Sequence, residues 1–508
     1  MSESLSDSGR PESDAEIRGV DLLKGLERAL LFVDRAVERN LPTRHNPLLQ
    51  MGAIANALLI VALASGVLLL FWYIPNVEQA WESVHWIEER PWGAGLVRSF
   101  HRYSSDAAMF FILVHGLRTL LERRFSGARW LGWVTGIVLL GSIWITGWTG
   151  YWLVWDIRAQ VLATGTAEMI DALPVFVTPL ARSFLTEETL SSALYFTVFF
   201  VHLLLPLVIG LGLWLHVSRL RRARFLPSRE MWGWLLASLI IVSILKPALS
   251  APRADLAALP AQYTVDWWYL APTVLFERLS SGALWSLAFG ALLVTVSIPW
   301  SLVYEESEKA EVNSKFCNAC SRCVKDCPYG AIVMAPRSDD HPRHDLEARL
   351  NPDRCVGCGI CAGACEPGGI GLPSYDVQEI RRRVDAWIEE AEREDEQISI
   401  AFVCSESAGG QLTIESDSGR CRELEGYRVV SVPCTGWVSP LTVERALRKG
   451  ASGVLVVGCR EEGPYYREGT KWIRQRLEGR REPRLRESQV DSELVKLVTF
   501  NRTERDRK

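Results

Sequence analysis

His101 and His115 stand fourteen residues apart, and His202 and His216 repeat the interval. Fourteen residues are close to four helical turns, so each pair lies on one helix face, with its members roughly 21 Å apart along the axis. Two helices of this kind can supply paired axial imidazoles to two porphyrin irons stacked one above the other. A lone histidine on an apolar helix is more often a hydrogen-bonded core residue. Here four of the chain's eight histidines fall in one doubled register, which favours the ligand reading. Glycines keep the same interval, Gly52 with Gly66 and Gly136 with Gly150. A helix side without Cβ lets a flat macrocycle approach the backbone, at up to ~1 kcal/mol per glycine in helix propensity.

Cysteines form the other constellation. Cys317, Cys320, Cys323 and Cys327, followed by Pro328, recur as Cys355, Cys358, Cys361 and Cys365, with Pro367 two residues on. This doubled spacing suits two [4Fe–4S] clusters, whereas zinc takes paired CxxC units with tetrahedral ligation. A tight loop brings three thiolates to one cube but cannot wrap the fourth corner. In two-cluster ferredoxins the fourth cysteine ligates the other cluster. Cluster one is therefore assigned Cys317, Cys320, Cys323 and Cys365, and cluster two Cys355, Cys358, Cys361 and Cys327.

The histidines need long helices around them. A spanning helix takes roughly 20 mostly apolar residues, and six segments qualify: 52–74, 106–121, 130–153, 192–217, 232–249 and 284–303. Residues 22–40, with amphipathic spacing, are expected along the membrane surface. Arginines set the orientation. Arg118, Arg123, Arg124 and Arg129 follow the second segment, and Arg219, Arg221, Arg222, Arg224 and Arg229 follow the fourth. Both loops are expected to be cytoplasmic, with the N-terminus and everything after 305. His101 then pairs with His202 near the outer face, and His115 with His216 near the inner one.

The rest of the composition agrees with this division. All 12 cysteines lie at or beyond Cys317, in a pattern that implies a reducing compartment. A net charge of −4 over 508 residues does not suggest a nucleic-acid binder. The polar, acidic start carries no visible cleaved signal, so the first span is expected to direct insertion. The division expected is a cytoplasmic N-terminus with an amphipathic helix (1–48), a membrane domain (49–305), a ferredoxin-like domain (306–374), a charged linker helix (375–396) and a small α/β domain (397–508). In the last, apolar runs at 398–403, 427–432 and 453–457 read as strands, and the charged residues from about 480 as partly disordered. The fold class is thus multi-domain: a six-helix transmembrane bundle, a two-[4Fe–4S] ferredoxin fold and a small α/β domain.

The stretches Leu96 to Ser105 (LVRSFHRYSS), Trp133 to Gly136 (WVTG) and Gly147 to Asp156 (GWTGYWLVWD) resemble cytochrome b of the quinol-oxidising bc-type complexes, over about residues 25–305. The resemblance implies two haem b groups, no covalent haem, and helix two extending back past His101. Its haem-propionate arginine corresponds to Arg118, with Arg102 a candidate at the outer haem. The family's Pro-Glu-Trp-Tyr motif, whose carboxylate accepts a quinol proton, corresponds to Val265 to Tyr269 (VDWWY), which makes Asp266 the catalytic base. Both prolines of the family's outer site are missing, at Val154 and Val265. An interfacial aromatic belt built on Trp267, Trp268 and Tyr269 is the bland alternative.

Ile398 to Ser407, Val432 to Pro440, and Gly450 to Cys459 with Tyr465 and Tyr466 resemble the delta subunit of methyl-viologen-reducing hydrogenase. That family implies a [2Fe–2S] cluster and docking on the flavoprotein of heterodisulfide reductase. Cys404, Cys434 and Cys459 match its thiols, Ser407 and Pro464 replace two others, and Cys421 is a fourth thiol at a non-matching position. A cluster-free docking domain is the alternative.

Together these imply an electron-transfer subunit of a quinone-dependent oxidoreductase in a prokaryotic plasma membrane, with its tail in the cytoplasm. It would pass electrons between quinone, the haems, the clusters and a soluble flavin-containing reductase. Other subunits of a membrane complex, and a second copy, are expected partners. The rival readings are a cytochrome b subunit of a Rieske-containing complex and a membrane anchor for a soluble reductase.

Overall fold

The computed structural model describes residues 14–41, 45–173, 179–184, 192–218, 221, 224–258, 260, 262–302, 307–340, 342–461 and 463–500, with side chains from residue 25 onward except at 183, 408 and 411. Arg219 and Arg222 of the expected inner loop lie outside them.

Nine helices open the described chain: α1 (Asp14–Asn40), α2 (Met51–Leu69), α3 (Ala80–Glu88), α4 (Ala94–Leu121), α5 (Trp130–Trp152), α6 (Ile157–Asp171), α7 (Ser192–Ser218), α8 (Arg229–Leu245) and α9 (Ser281–Ser301). Four are long and apolar enough to cross a membrane: α2, α5 with the turn before it, α7 and α9. They leave Val67, Leu207, Leu211, Trp214, Ile241 and Leu293 exposed, with part of α8, as a lipid-facing surface needs. The segment expected at 106–121 is also helical, and that expected at 232–249 is helical as far as Leu245. The first carries Arg98, Arg102, Asp106 and Arg118 as α4, and the second is 17 residues long as α8.

Helices pair as α2 with α4 and α5 with α7, and glycines decide how closely. A Cβ added at Gly147 would sit 2.1 Å from the Tyr269 ring. Only glycine lets the loop before α9 press its tyrosine into α5. Asp156, fully buried, caps α6 by accepting from the amides of Arg158 and Ala159 at 3.0 Å. Its other oxygen accepts from Ala251 N at 2.9 Å, which pins the chain after α8.

Beyond residue 306 the chain folds twice. β1 (Glu311–Val312) pairs antiparallel with β4 (Ile370–Gly371), and β2 (Ile332–Pro336) with β3 (Leu346–Leu350). Between them lie α10 (Arg322–Asp326) and α11 (Ile360–Ala364). The second fold is a parallel sheet ordered β6-β5-β7-β8, from β5 (Ser399–Cys404), β6 (Tyr427–Val432), β7 (Val454–Cys459) and β8 (Val495–Phe500). Helices α12 (Val377–Arg393), α13 (Pro440–Arg448) and α14 (Gly469–Leu477) complete it. The charged helix α12 buries Ile380, Val384, Trp387 and Ile388 in the core shared with β5, β6 and β7. β8 stands in the stretch expected to be disordered, because pairing with β7 gives its backbone partners that composition does not reveal.

The two tail folds are bound by a buried ion pair. Asp326 at the end of α10 lies 2.5 Å from Arg476 of α14 and also pairs with Arg481. Arg476 is fully buried, and the Trp472 indole donates to Asp326 O at 3.1 Å. Removing one partner strands the other charge, typically at about 3–5 kcal/mol. Asp326→Asn is therefore expected to lower the unfolding temperature of the tail clearly, as followed by calorimetry of the full-length protein. An unchanged transition would mean the pair is not formed.

Candidate functional site

Every glycine of the fourteen-residue register faces one histidine. A Cβ at Gly66 would come within 2.9 Å of the His101 ring, at Gly52 3.5 Å from His115, at Gly150 3.0 Å from His202 and at Gly136 3.4 Å from His216. The α2–α4 pair thus carries two imidazoles on its inner side, and the α5–α7 pair carries two more. Across the space between the pairs, the His101 and His202 ring centroids are 6.3 Å apart, with planes at 72°. A metal takes an imidazole nitrogen at ~2.0–2.1 Å, so trans nitrogens stand ~4 Å apart and ring centres ~6 Å. The outer gap has the width of a bis-imidazole iron site.

Hydroxyls and carbonyls from the facing helix hold the other ring nitrogen. His101 Nδ1 is 2.8 Å from Ala62 O and 3.4 Å from Ser65 Oγ. His202 Nδ1 is 3.0 Å from Thr146 O and 3.1 Å from Thr149 Oγ1, and His216 Nδ1 is 2.8 Å from Thr135 Oγ1. Orienting Nδ1 in this way leaves Nε2 to face the gap. Ser65, Thr135 and Thr149 each immediately precede a register glycine, a Ser/Thr-Gly signal that sequence reasoning missed. Before Gly52 stands Met51, which has no hydroxyl. Loss of such an outer-shell partner commonly costs 10–100-fold in metal affinity. Thr135→Val is thus expected to raise haem release from the inner gap by about that factor, while Thr135→Ser holds it; apomyoglobin capture reads the release.

The eight cysteines of the doubled motif gather crosswise. One cavity is lined by Cys317, Cys320, Cys323 and Cys365, and another by Cys327, Cys355, Cys358 and Cys361. Matching backbone turns build the two loops. Ala319 and Ser321 are left-handed at φ 54° and 60°, as Gly357 and Gly359 are at 71°, each two and four residues after the first cysteine of its motif. A Cβ at Gly357 would lie 2.5 Å from Glu308 O, so glycine is required there. Amides point at sulfur: Gly369 N to Cys365 at 3.2 Å, with Ala331 N to Cys327 and Ala348 N to Cys317 at 3.4 Å. Burial, with neighbouring thiolates adding, pushes the Cys323 thiol up to about 12, and Cys358 and Cys361 well above their ordinary value. Thiols this hard to ionise alone suit sites where a cation offsets the charge. Among the described residues no three His, Cys, Asp or Glu side chains close around a single ion, as expected of thiols spaced around a cube.

A cavity of about 620 Å³ joins the two halves. His115, His216, Gly52 and Gly136 line its membrane end, and Tyr329, Val356 and Tyr465 its tail end. Val356 follows Cys355, so the inner imidazoles and the second cysteine cavity share one chamber wall. Arg221 N donates to Pro328 O and Arg224 to Glu461 O, both at 3.1 Å. Arg129 lies over the Tyr465 and Tyr466 rings.

Residues 36–224 match the family described as cytochrome b/b6/petB, residues 316–368 the 4Fe-4S dicluster domain, and residues 399–507 the delta subunit of methyl-viologen-reducing hydrogenase. The chain thus joins a segment similar to cytochrome b to segments similar to the other two families. It is 29% identical over 192 residues to cytochrome b6 of Synechococcus sp. (strain JA-3-3Ab), across 38% of this chain and 89% of that protein. A solved structure of a hyperthermophilic respiratory Complex III aligns at a TM-score of 0.39 and 20% identity, over 49% of this chain and 74% of that one. The cytochrome b-like half is membrane-embedded, and these families imply haem b and iron–sulfur clusters.

Other expected site residues of the cytochrome b-like half are already engaged. Arg118 lines the large cavity but pairs with Asp34 at 2.9 Å and Glu122 at 2.8 Å. Arg102 lies 2.8 Å from Asp266. Asp266 Oδ1 accepts from the amides of Trp268, Tyr269 and Leu270 at 3.1, 2.7 and 2.8 Å, and Oδ2 from Arg102 and the Tyr151 hydroxyl. Burial pushes its carboxyl up, but the Leu270 amide, Tyr151 and Arg102 together outweigh it and hold the group below its ordinary value. This geometry suits a permanently ionised loop anchor better than a proton acceptor. Its stabilising contribution is present above the unfolded pKa, near ~4, and is lost as pH falls through the lowered folded value.

In the hydrogenase-delta-like domain, the sheet brings Cys404 and Cys459 to 4.0 Å at the ends of β5 and β7. Cys434 follows β6. Ser407 turns away and donates to Cys404 O at 2.9 Å. Cys421 bonds the Glu423 carboxylate at 3.2 Å and packs with Ala401 and Val403 in a separate core, which does not contain Cys434.

Proposed function

We propose that this chain is the membrane electron-transfer subunit of a quinone-linked oxidoreductase. Six helices, α2, α4, α5, α7, α8 and α9, span the plasma membrane of a prokaryote, and the tail from about residue 306 lies in the cytoplasm. His101 with His202, and His115 with His216, hold two b haems in slots opened by Gly66, Gly150, Gly52 and Gly136. Cys317, Cys320, Cys323 and Cys365 hold one [4Fe–4S] cluster, and Cys327, Cys355, Cys358 and Cys361 the other. These groups supply one-electron chemistry, while the protein supplies ligands, burial and order. Quinone reacts at the membrane, and a soluble flavin-containing reductase meets the tail. Cys404, Cys434 and Cys459 number one fewer than the four thiols a [2Fe–2S] cluster usually takes, so that corner is read as a docking surface.

The observation that carries this reading is the chamber shared by the inner histidines and the second cysteine set. Tyr329, Arg354 and Val356 line both that chamber and the second cysteine cavity, so the two redox sites are separated by a single shared wall. The test is optical titration of the purified complex with quinol and with reduced ferredoxin. Both reagents are expected to change the b-type bands; if neither does, the proposal fails.

A further inference from the structure

Two carboxylates share one cation beside the outer gap. Arg102 lies 3.0 Å from Asp106 Oδ1 and 2.8 Å from Asp266 Oδ2. The two acids differ in everything else. Asp266 accepts three amides and a tyrosine hydroxyl besides the guanidinium, so all its acceptor sites are committed to its charged form. Asp106 stands one helical turn after Arg102 on α4, and no hydrogen-bond donor is aligned on its Oδ1. Its side chain is 23% exposed, which leaves a route to water. When two acids are coupled through one cation, the one with more donors keeps the charge and the other takes the proton.

We propose that Asp106, rather than Asp266, is the carboxylate that exchanges the hydroquinone proton at the outer face. The proposal rests on the quinone-linked reading above. The groups facing Asp106 are Arg102 on its own helix, Tyr151 of α5, Asp266 and Tyr269 of the loop before α9, and Tyr103. The Phe110 and Trp268 rings, 6.3 Å apart, roof the same corner with apolar surface. Oxidation of a hydroquinone breaks two O–H bonds and releases two protons and two electrons. Each proton forms an O–H bond on Asp106 and then passes to outer water. The two electrons would be taken one at a time by the haem that His101 and His202 would hold, with the haem that His115 and His216 would hold as the acceptor that drains it. Run backwards, the same exchange delivers protons to a quinone.

Two arms test it on the full-length protein in detergent, with aspartate carbon-labelled. Infrared titration without quinol is expected to show a protonated aspartate band that is absent from Asp106→Asn and kept in Asp266→Asn. A band lost from Asp266→Asn instead overturns the proposal. With hydroquinone, Asp106→Asn is expected to slow haem reduction about 100-fold and to flatten its pH profile, with the haem spectrum unchanged. Asp106→Glu is expected to recover most of the rate with a displaced profile, which a packing role would not do. A wild-type rate and profile in Asp106→Asn also overturns it. Should hydroquinone reduce no haem in the unmodified protein, the quinone-linked reading fails, while the infrared arm still decides which acid takes the proton.

Discussion

Replacing Cys327 with serine is expected to remove the cluster of the second motif and leave that of the first. In sequence Cys327 completes the first motif, yet it lines a cavity with Cys355, Cys358 and Cys361. The turn explains why. Cys323 lies within α10 and Cys327 caps its C-terminus one turn later, roughly 6 Å further along the axis, where it lines the other cavity. The symmetric turn at α11 delivers Cys365 to the first set. Serine is a poor match for iron beside thiolates, and the site is buried, so partial occupancy has little to stabilise it. Bound iron and sulfide should fall by about half. The low-temperature resonance of the reduced protein should lose the interaction between two clusters and keep one signal. Cys365→Ser should remove the other signal. If Cys327→Ser instead costs the cluster of Cys317, Cys320 and Cys323, ligation is local and the crosswise assignment is wrong.

Much of this site was readable because it is built from intervals. A fourteen-residue spacing survives any detail of packing, since four helical turns return a side chain to the same face. Histidines could therefore be matched with histidines, and glycines with glycines, from the sequence. What intervals do not carry is partner choice. Gly66 meeting His101, and Gly52 meeting His115, depends on α2 running antiparallel against α4. Ser65, Thr135 and Thr149 were legible only in hindsight, because a hydroxyl on an apolar helix has many ordinary uses. Asp266 shows the opposite failure. Its motif position suggested a base, but three amides of its own turn and the sequence-distant Arg102 are bonded to it, and the motif shows neither the turn nor the arginine. In the tail, the strands at 398–403, 427–432 and 453–457 were plain from apolar runs, while their parallel pairing comes from the sheet itself. β8 was not, because Val495–Phe500 sits among charges and gains its identity only from β7. The left-handed turns at Ala319 and Ser321 were hidden because their equivalents in the second motif are glycines.

His216→Leu is expected to produce a protein with one b haem in place of two, in which quinol still reduces the haem but no longer the clusters. Leucine matches the apolar surroundings, so the helix should persist while the iron loses one axial nitrogen. The Gly136 slot opposite then faces a side chain that cannot ligate. The outer gap shares no ligand with the inner one: His101 and His202 face each other 6.3 Å apart, four turns away. Its absorbance should remain, and pyridine haemochrome analysis should return half the haem per chain. The functional split follows from the chamber, since His216 and His115 line the membrane end of the cavity whose tail end carries Val356 beside Cys355. Without an inner haem, an electron at the outer site has no stepping stone across most of the ~30 Å hydrocarbon layer. Cluster reduction by quinol, read by its resonance signal, should fall by orders of magnitude, while reduction by dithionite stays unchanged. Clusters that still fill with electrons from quinol in His216→Leu would mean that the current reaches the tail by a path that avoids the inner histidines.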